Sequence, residues 1–173
     1  NNLTGTLETI AKDAKVQVDF NPDVVARYRL VGFENRAIAD EQFRDDTVDA
    51  GEIGAGHSVI ARYEIKRFAD AEGRLATVFL RWIDPETSEA SEISADLEST
   101  DLADTFEAAS PSFQLAIVVS EFAEVLRESY WAQENTLEGV LEEAQRVAEL
   151  YQDNQDVTDF LDLLRRATEE PVE

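Results

Sequence analysis

The spacing of apolar residues changes once along the chain, near residue 99, and this change predicts two structural parts. Before it, apolar and polar residues alternate with a period of two, as in strands with one buried face. After it, apolar residues recur every three or four positions, as in amphipathic helices. We therefore predict an α+β protein with β-rich residues 15–98 followed by helical residues 99–173.

The alternating part predicts five strands, at residues 15–20, 24–33, 57–68, 75–83 and 87–97. The third and fourth are separated only by turn-rich residues 70–73, so we predict that they pair as a hairpin. One-sided alternation suits antiparallel pairing. Five strands in so short a stretch predict a small antiparallel sandwich or barrel-like sheet.

The second part predicts three helices joined by short connections. The first should begin at Ser110-Pro111, where a capping hydroxyl precedes a proline at the first helical position. The second is predicted from Thr136 and the third from Asp156. We expect the three helices to pack against each other and against the sheet.

Residues 1–14 show a short helical spacing of apolar side chains, at Leu3, Leu7, Ile10 and Ala11. We interpret them as a helical tail of, or linker from, an upstream module. The chain begins at Asn1 and not at Met, so we expect it to be a piece of a longer protein.

Periodicity lapses over residues 34–56, which predicts a long acidic connection with one helical turn near residues 40–43. Its end holds three glycines in six residues, Gly51, Gly54 and Gly56. A phosphate-binding loop would lead into a helix, whereas this one leads into a predicted strand. The glycines therefore predict a tight bend or bulge before that strand.

Composition excludes several classes of function. A formal net charge of −23 repels phosphate backbones and anionic lipid headgroups, so we expect neither nucleic-acid binding nor direct membrane contact. The absence of cysteine excludes disulfides, thiolate metal sites and thiol nucleophiles. The sequence contains no run of about 18 apolar residues, so we predict no membrane-spanning helix. The acidity is typical both of a saline habitat and of a binding role.

The acidic connection contains candidate calcium ligands, since calcium prefers six to eight oxygen atoms. An EF-hand loop read from Asp45 would place Ala50 at the required glycine and Gly56 at the required glutamate, so that motif is excluded. An irregular calcium site is the alternative function that we keep. Its candidate ligands are Asp45, Asp46, Asp49 and Glu52.

Catalytic chemistry has little support. His57 is the single histidine and adjoins Ser58, but neighbouring residues on a strand point to opposite faces. We predict a structural histidine and no enzymatic activity, with a hydrolase as the third possibility. A glycosidase needs a pair of nearby carboxylates, but with 38 acidic residues such pairs are expected in any fold and do not indicate this activity.

Two further groups are interpreted from residue type. Trp82, Trp131 and Tyr130 are predicted to be core or domain-junction aromatics. Arg27 and Arg29 share one face of the second predicted strand. Interfaces favour arginine over lysine and glutamate, so these two are the predicted contact surface.

Three stretches resemble the C-terminal region of bacterial von Willebrand factor type A (vWA) domain proteins, some of which are lipoproteins. They are NLTGTLETIAKDAKVQVDFNP (2–22), YRLVGFENR (28–36) and DAGEIGAGHSV (49–59), and residues 112–129 resemble that family's following helix. The resemblance implies a cell-envelope or secreted parent and a role in adhesion or assembly.

The vWA metal motif, D-x-S-x-S, is absent from this chain. The resemblance therefore implies no cofactor in this fragment and a divalent metal in an upstream vWA module. It also implies that the partners are that module and an unknown protein. We accordingly predict a non-catalytic interaction or scaffolding domain.

Overall fold

The structure is a computed structural model that describes residues 8–32 and 38–169. The chain divides into two compact units between Leu102 and Ala103. The described strands of the first unit are β1 (Thr9–Phe20), β2 (Val25–Val31), β3 (Gly51–Gly54), β4 (Arg62–Arg67), β5 (Arg74–Ile83) and β6 (Ala90–Glu98). The helices of the second unit are α1 (Pro111–Leu126), α2 (Leu137–Ala148) and α3 (Gln155–Glu169).

The strands form two antiparallel sheets. One has four strands in the order β3-β1-β5-β6, and the other is the two-stranded pair β2-β4. The predicted α+β class, with antiparallel strands before three helices, is therefore confirmed. That the helices pack on the sheet stays a prediction.

The predicted hairpin between the third and fourth strands is wrong. β4 pairs with β2, with Tyr28 opposite Ile65. β5 pairs with β1 on one side and β6 on the other, with Leu80 opposite both Val16 and Ile93. The apolar run of β5 needs a neighbour on each edge, and a short turn does not decide which strands supply them.

The helix predicted for residues 1–14 is wrong wherever the structure describes it. β1 begins at Thr9 and pairs with β3, with Ala11 opposite Ile53. A register shift between Lys12 and Lys15 holds Asp13 at a φ of 48°. Because that irregularity interrupts strict alternation, the segment lacks a clear period-two pattern. Residues 1–7 lie outside the described part, and the origin of residues 1–14 in an upstream module stays a prediction.

The connection before β4 is more structured than its sequence indicates. The predicted helical turn is confirmed as a 3-10 helix at Asp40–Gln42. Gly51 and Gly54 belong to the unpredicted strand β3. Gly56 has a φ of 78° in the turn that follows, a conformation that favours glycine. The strand predicted from residue 57 begins only at Arg62.

Each unit has its own apolar core. In the first unit, Val24, Val25 and Leu75 are buried against Phe20, Ile65 and Leu97 from both sheets and against Ala71 from the connection between β4 and β5. In the second unit the core joins all three helices through Val118, Phe122, Val140, Ala144, Val147 and Leu164. Three-residue 3-10 helices at Ser99–Asp101 and Tyr130–Ala132 complete the described elements.

The helix starts follow the capping residues. Ser110 Oγ accepts a hydrogen bond from the Phe113 amide at 3.3 Å, and Thr136 Oγ1 accepts one from the Gly139 amide at 3.1 Å. Both predicted starts are confirmed. α3 begins at Gln155, one residue before the predicted position.

Candidate functional site

The acidic loop, defined here as residues 40–50, lies on the polar face of the four-stranded sheet. Phe43 is 4% exposed, and its ring meets Phe79 of β5 edge-on at 6.4 Å between centroids. Lys15 of β1 is also buried, and its Nζ donates to the Asp45 carbonyl at 2.6 Å. An apolar anchor and a buried ammonium therefore fix this loop to the sheet.

Charged side chains of the loop form ion pairs with charged side chains of the sheet. Arg81 of β5 donates to both carboxylate oxygens of Asp46, at 2.9 and 3.0 Å. Arg44 donates to both oxygens of Glu92 on β6, at 3.1 and 2.7 Å. Arg81 also contacts Glu92 at 3.5 Å, so the four side chains form one network. Hydrogen bonding by Arg44 lowers the pKa of Glu92.

The four predicted calcium ligands do not converge in the described structure. Asp46 is held by Arg81, and Asp45 accepts from the amide and hydroxyl of Thr47, which lowers the Asp45 pKa. Asp49 and Glu52 are exposed. Within residues 8–32 and 38–169, no group of three or more histidines or acids is placed to hold a metal. The calcium alternative stays a prediction.

His57 lies in an exposed, irregular segment between β3 and β4. Its backbone amide donates to the Gly54 carbonyl at 3.0 Å. No carboxylate or hydroxyl among the described residues forms a hydrogen bond with its ring. A serine, histidine and carboxylate relay has no counterpart around it in the described part of the chain.

Of the two alternatives for these aromatics, a core position is wrong for Tyr130 and Trp131, and a position at the domain junction stays a prediction. Tyr130 is 72% exposed and Trp131 is 63% exposed, and their rings meet edge-on at 5.3 Å. Both lie on the 3-10 helix between α1 and α2. The buried residue of that 3-10 helix is Ala132. Trp82, on β5, is half-buried.

The predicted contact residues lie on the two-stranded sheet, which we call the basic ribbon (β2 and β4). It holds five of the chain's 15 basic side chains and one carboxylate, Glu64. The basic residues are Arg27, Arg29, Arg62, Lys66 and Arg67. A chain with a formal net charge of −23 thus carries a local excess of positive charge on 13 residues.

The basic side chains of the ribbon differ in whether they are paired with a carboxylate. Arg29 donates to Glu64 at 2.6 and 3.1 Å, and Arg62 contacts the same carboxylate at 3.1 Å. The side chains of Arg29 and Arg62 are only 19% and 15% exposed. Arg27 and Lys66, in contrast, are exposed and form no ion pair with any described residue. Of the two predicted contact residues, Arg27 is therefore the available one.

Arg27 and Lys66 are register partners, directly opposite each other. Like charges directly opposite on antiparallel strands are destabilising. The sequence pattern does not reveal this pairing, because it predicts that the strand containing Lys66 pairs with β5 and not with β2. The pair places two positive charges side by side at the surface.

The opposite face of the ribbon is aromatic. Tyr28 stacks on Phe20 of β1 at 4.2 Å between centroids, and Tyr63 meets the same ring at 5.4 Å. Tyr28 remains 59% exposed, while burial raises the pKa of Tyr63. The ribbon therefore exposes arginine on one face and tyrosine on the other, and both residue types are enriched in protein interface hot spots.

Among the described residues, no helix is long and apolar enough to cross a membrane. The model of a protein family described as "Uncharacterized protein YfbK, C-terminal" matches residues 5–169. The Uncharacterized protein YfbK of Escherichia coli (strain K12) is 30% identical over an alignment of 159 residues that covers 81% of this chain. The aligned part spans only 27% of that relative's length. No solved structure matches this chain.

Proposed function

Since this chain belongs to the family of the YfbK C-terminal region, we propose that it is a non-catalytic interaction domain that binds an acidic protein surface through its basic ribbon. The observation that carries the proposal is the exposed Arg27–Lys66 pair on a strongly acidic chain. The second unit has the opposite character, because residues 103–173 hold 17 acidic and 4 basic side chains.

Charge segregation favours one docking orientation. At physiological ionic strength charges interact over about 8 Å, so a partner senses the local surface more than the total charge. An acidic partner is repelled by most of this chain and attracted at the ribbon. Complementarity of this kind gives specificity and a faster association rate.

The Arg27–Lys66 pair is also explained by a bound partner. Two opposed cations weaken the strand pairing of the free domain. A carboxylate placed between them removes the repulsion and gains two charge-assisted hydrogen bonds. A local feature that lowers stability without a structural benefit is expected at functional sites.

The partner in this proposal is a vWA module encoded upstream of this domain. The support is the resemblance of residues 2–22, 28–36 and 49–59 to the region that follows such modules. By the same resemblance, the parent protein is secreted or belongs to the cell envelope, as a periplasmic or surface lipoprotein. A divalent metal would then be held by the vWA module.

Calorimetric titration of the purified vWA module into this domain tests the proposal. The double variant Arg27→Glu/Lys66→Glu should weaken binding at least tenfold, about 1.4 kcal/mol, because both charges are reversed. Lys12→Glu is the matched control, since Lys12 is an exposed cation on β1 outside the ribbon. Its dissociation constant should equal that of the unmodified domain.

Two results would overturn the proposal. Equal affinities for the double variant and the Lys12→Glu control would remove the ribbon as the contact surface. An upstream coding sequence without a D-x-S-x-S segment would remove the vWA module as the partner.

A further inference from the structure

A cavity of about 370 Å³ opens between α1 and α2 in the helical unit. Its floor is apolar and is formed by Phe106, Ile117, Val118 and Val140. Three glutamates surround it: Glu121 on α1, Glu134 in the connection, and Glu143 on α2. An apolar floor with a few polar groups at the edge is typical of ligand sites, and the volume is in their usual range.

Hydrogen bonds hold the cavity edge in place. Asn135 Nδ2 donates to Glu121 Oε2 at 2.6 Å and ties the connection to α1. On the far side, Arg146 is paired with Glu143, and its Nη2 also donates to Gln114 Oε1 at 2.8 Å. The hydrogen bond to Glu143 raises the pKa of Arg146. With Arg146 included, the three carboxylates leave an excess of negative charge around the cavity.

Glu134 differs from the other two glutamates. It is exposed and forms no ion pair with any described residue. It is therefore available to pair with a cation that enters the cavity.

Gly139 lines the cavity from within α2. Its backbone φ is not in the left-handed region, and a Cβ there would meet only Thr136 Oγ1 at 3.5 Å, an ordinary contact. Neither conformation nor crowding therefore requires glycine. A helical glycine costs about 1 kcal/mol relative to alanine. The absence of a side chain at Gly139 leaves this part of the cavity lining without a methyl group.

We propose that this cavity binds an arginine-bearing, apolar peptide segment of a partner protein. The apolar neighbours of the arginine would cover the half-buried Phe106 and Ile117, and the guanidinium would pair with Glu134 at the edge. The charge of the cavity selects this occupant over an acidic or neutral segment. The site has the opposite charge preference from the basic ribbon and is independent of the proposed function.

Nuclear magnetic resonance titration of the ¹⁵N-labelled chain tests this inference. The first probe is the acetylated, amidated tripeptide leucine–arginine–leucine, and the second replaces arginine by glutamate. Saturable shifts are expected at the amides of Gly139, Val118 and Asn135 with the arginine peptide. The glutamate peptide should bind at least tenfold more weakly.

Variants separate the cavity from general surface charge. Gly139→Ala should raise the melting temperature, because alanine favours the helix, and should weaken peptide binding, because it adds a methyl group to a residue that lines the cavity. Glu134→Gln should weaken binding about threefold to tenfold without touching a helix. Glu138→Gln is the matched control, since Glu138 is an exposed α2 glutamate that does not line the cavity.

Three outcomes would overturn the inference. The first is the absence of saturable shifts with the arginine peptide at low millimolar concentration. The second is equal binding of the two peptides. The third is equal loss of affinity in Glu134→Gln and Glu138→Gln. None of these results bears on binding by the basic ribbon, which is measured with a different partner and different variants.

Discussion

Replacing Phe43 by alanine should detach the acidic loop from the sheet and destabilise the β-rich unit by about 3 kcal/mol. Truncation of a buried phenylalanine costs about 3–5 kcal/mol. At 4% exposure nearly the whole ring is lost from the interior, together with its edge-on contact to Phe79 at 6.4 Å. The loop can partly collapse into the space, so we expect the lower end of that range.

Urea unfolding followed by tryptophan fluorescence measures this loss. Trp82 lies on β5 of the same sheet and reports on the first unit. Trp131 belongs to the second unit, so the Trp131→Phe background leaves Trp82 as the single reporter. Phe68→Ala is the control, because Phe68 is 51% exposed, and it should change the free energy of unfolding by less than about 1 kcal/mol.

A loss for Phe43→Ala no larger than that for Phe68→Ala would refute the anchoring of the loop. Hydrogen exchange provides a second reading of the same contact. The Ala50 amide donates to Asp13 Oδ1 at 2.9 Å and should lose protection when the anchor is removed. Unchanged protection would mean that the charged network alone holds the loop.

Two further predictions concern the same loop. Because hydrogen bonding by Arg44 lowers the Glu92 pKa, the stabilisation is present above the unfolded value of about 4.3 and is lost as pH falls through the folded value. Glu92→Gln should therefore flatten the fall in urea midpoint between about pH 5 and pH 3, and an unchanged slope would contradict it. Millimolar calcium should leave the melting temperature unchanged, since Asp46 is already bound by Arg81. A rise with calcium but not with magnesium would instead support the calcium-binding alternative.

Whether a segment forms a helix or a strand was predictable from the sequence wherever its apolar residues recur at a regular spacing. The helix starts at Ser110 and Thr136 were predictable because capping depends on neighbouring residues. Strand neighbours were not predictable, because an alternating pattern shows which face is buried and not which strand lies beside it. β3 was missed for a related reason: four residues with two glycines carry almost no strand signal.

The candidate site was predictable only in part. Arg27 and Arg29 are equivalent in sequence, as alternate residues of one strand. Their roles differ because Glu64, 35 residues later, binds Arg29, whereas Lys66 lies opposite Arg27. The acidic residues of the loop were predicted as candidate metal ligands for the same reason, because the sequence does not show which of them are paired with arginine in the fold. Asp46 is separated from Arg81 by 35 residues, and only the fold brings them together.

The distribution of charge bears on why the chain is so acidic. Adaptation to a saline habitat would place carboxylates over all solvent-facing surfaces alike. The described structure departs from that pattern, since the ribbon gathers five basic side chains around one glutamate. The helical unit, in contrast, has a cavity edge with three glutamates. A saline habitat would account for the average charge, but not for this segregation. Two surfaces of opposite sign are expected if the domain joins two different partners, which is a requirement of a scaffolding role.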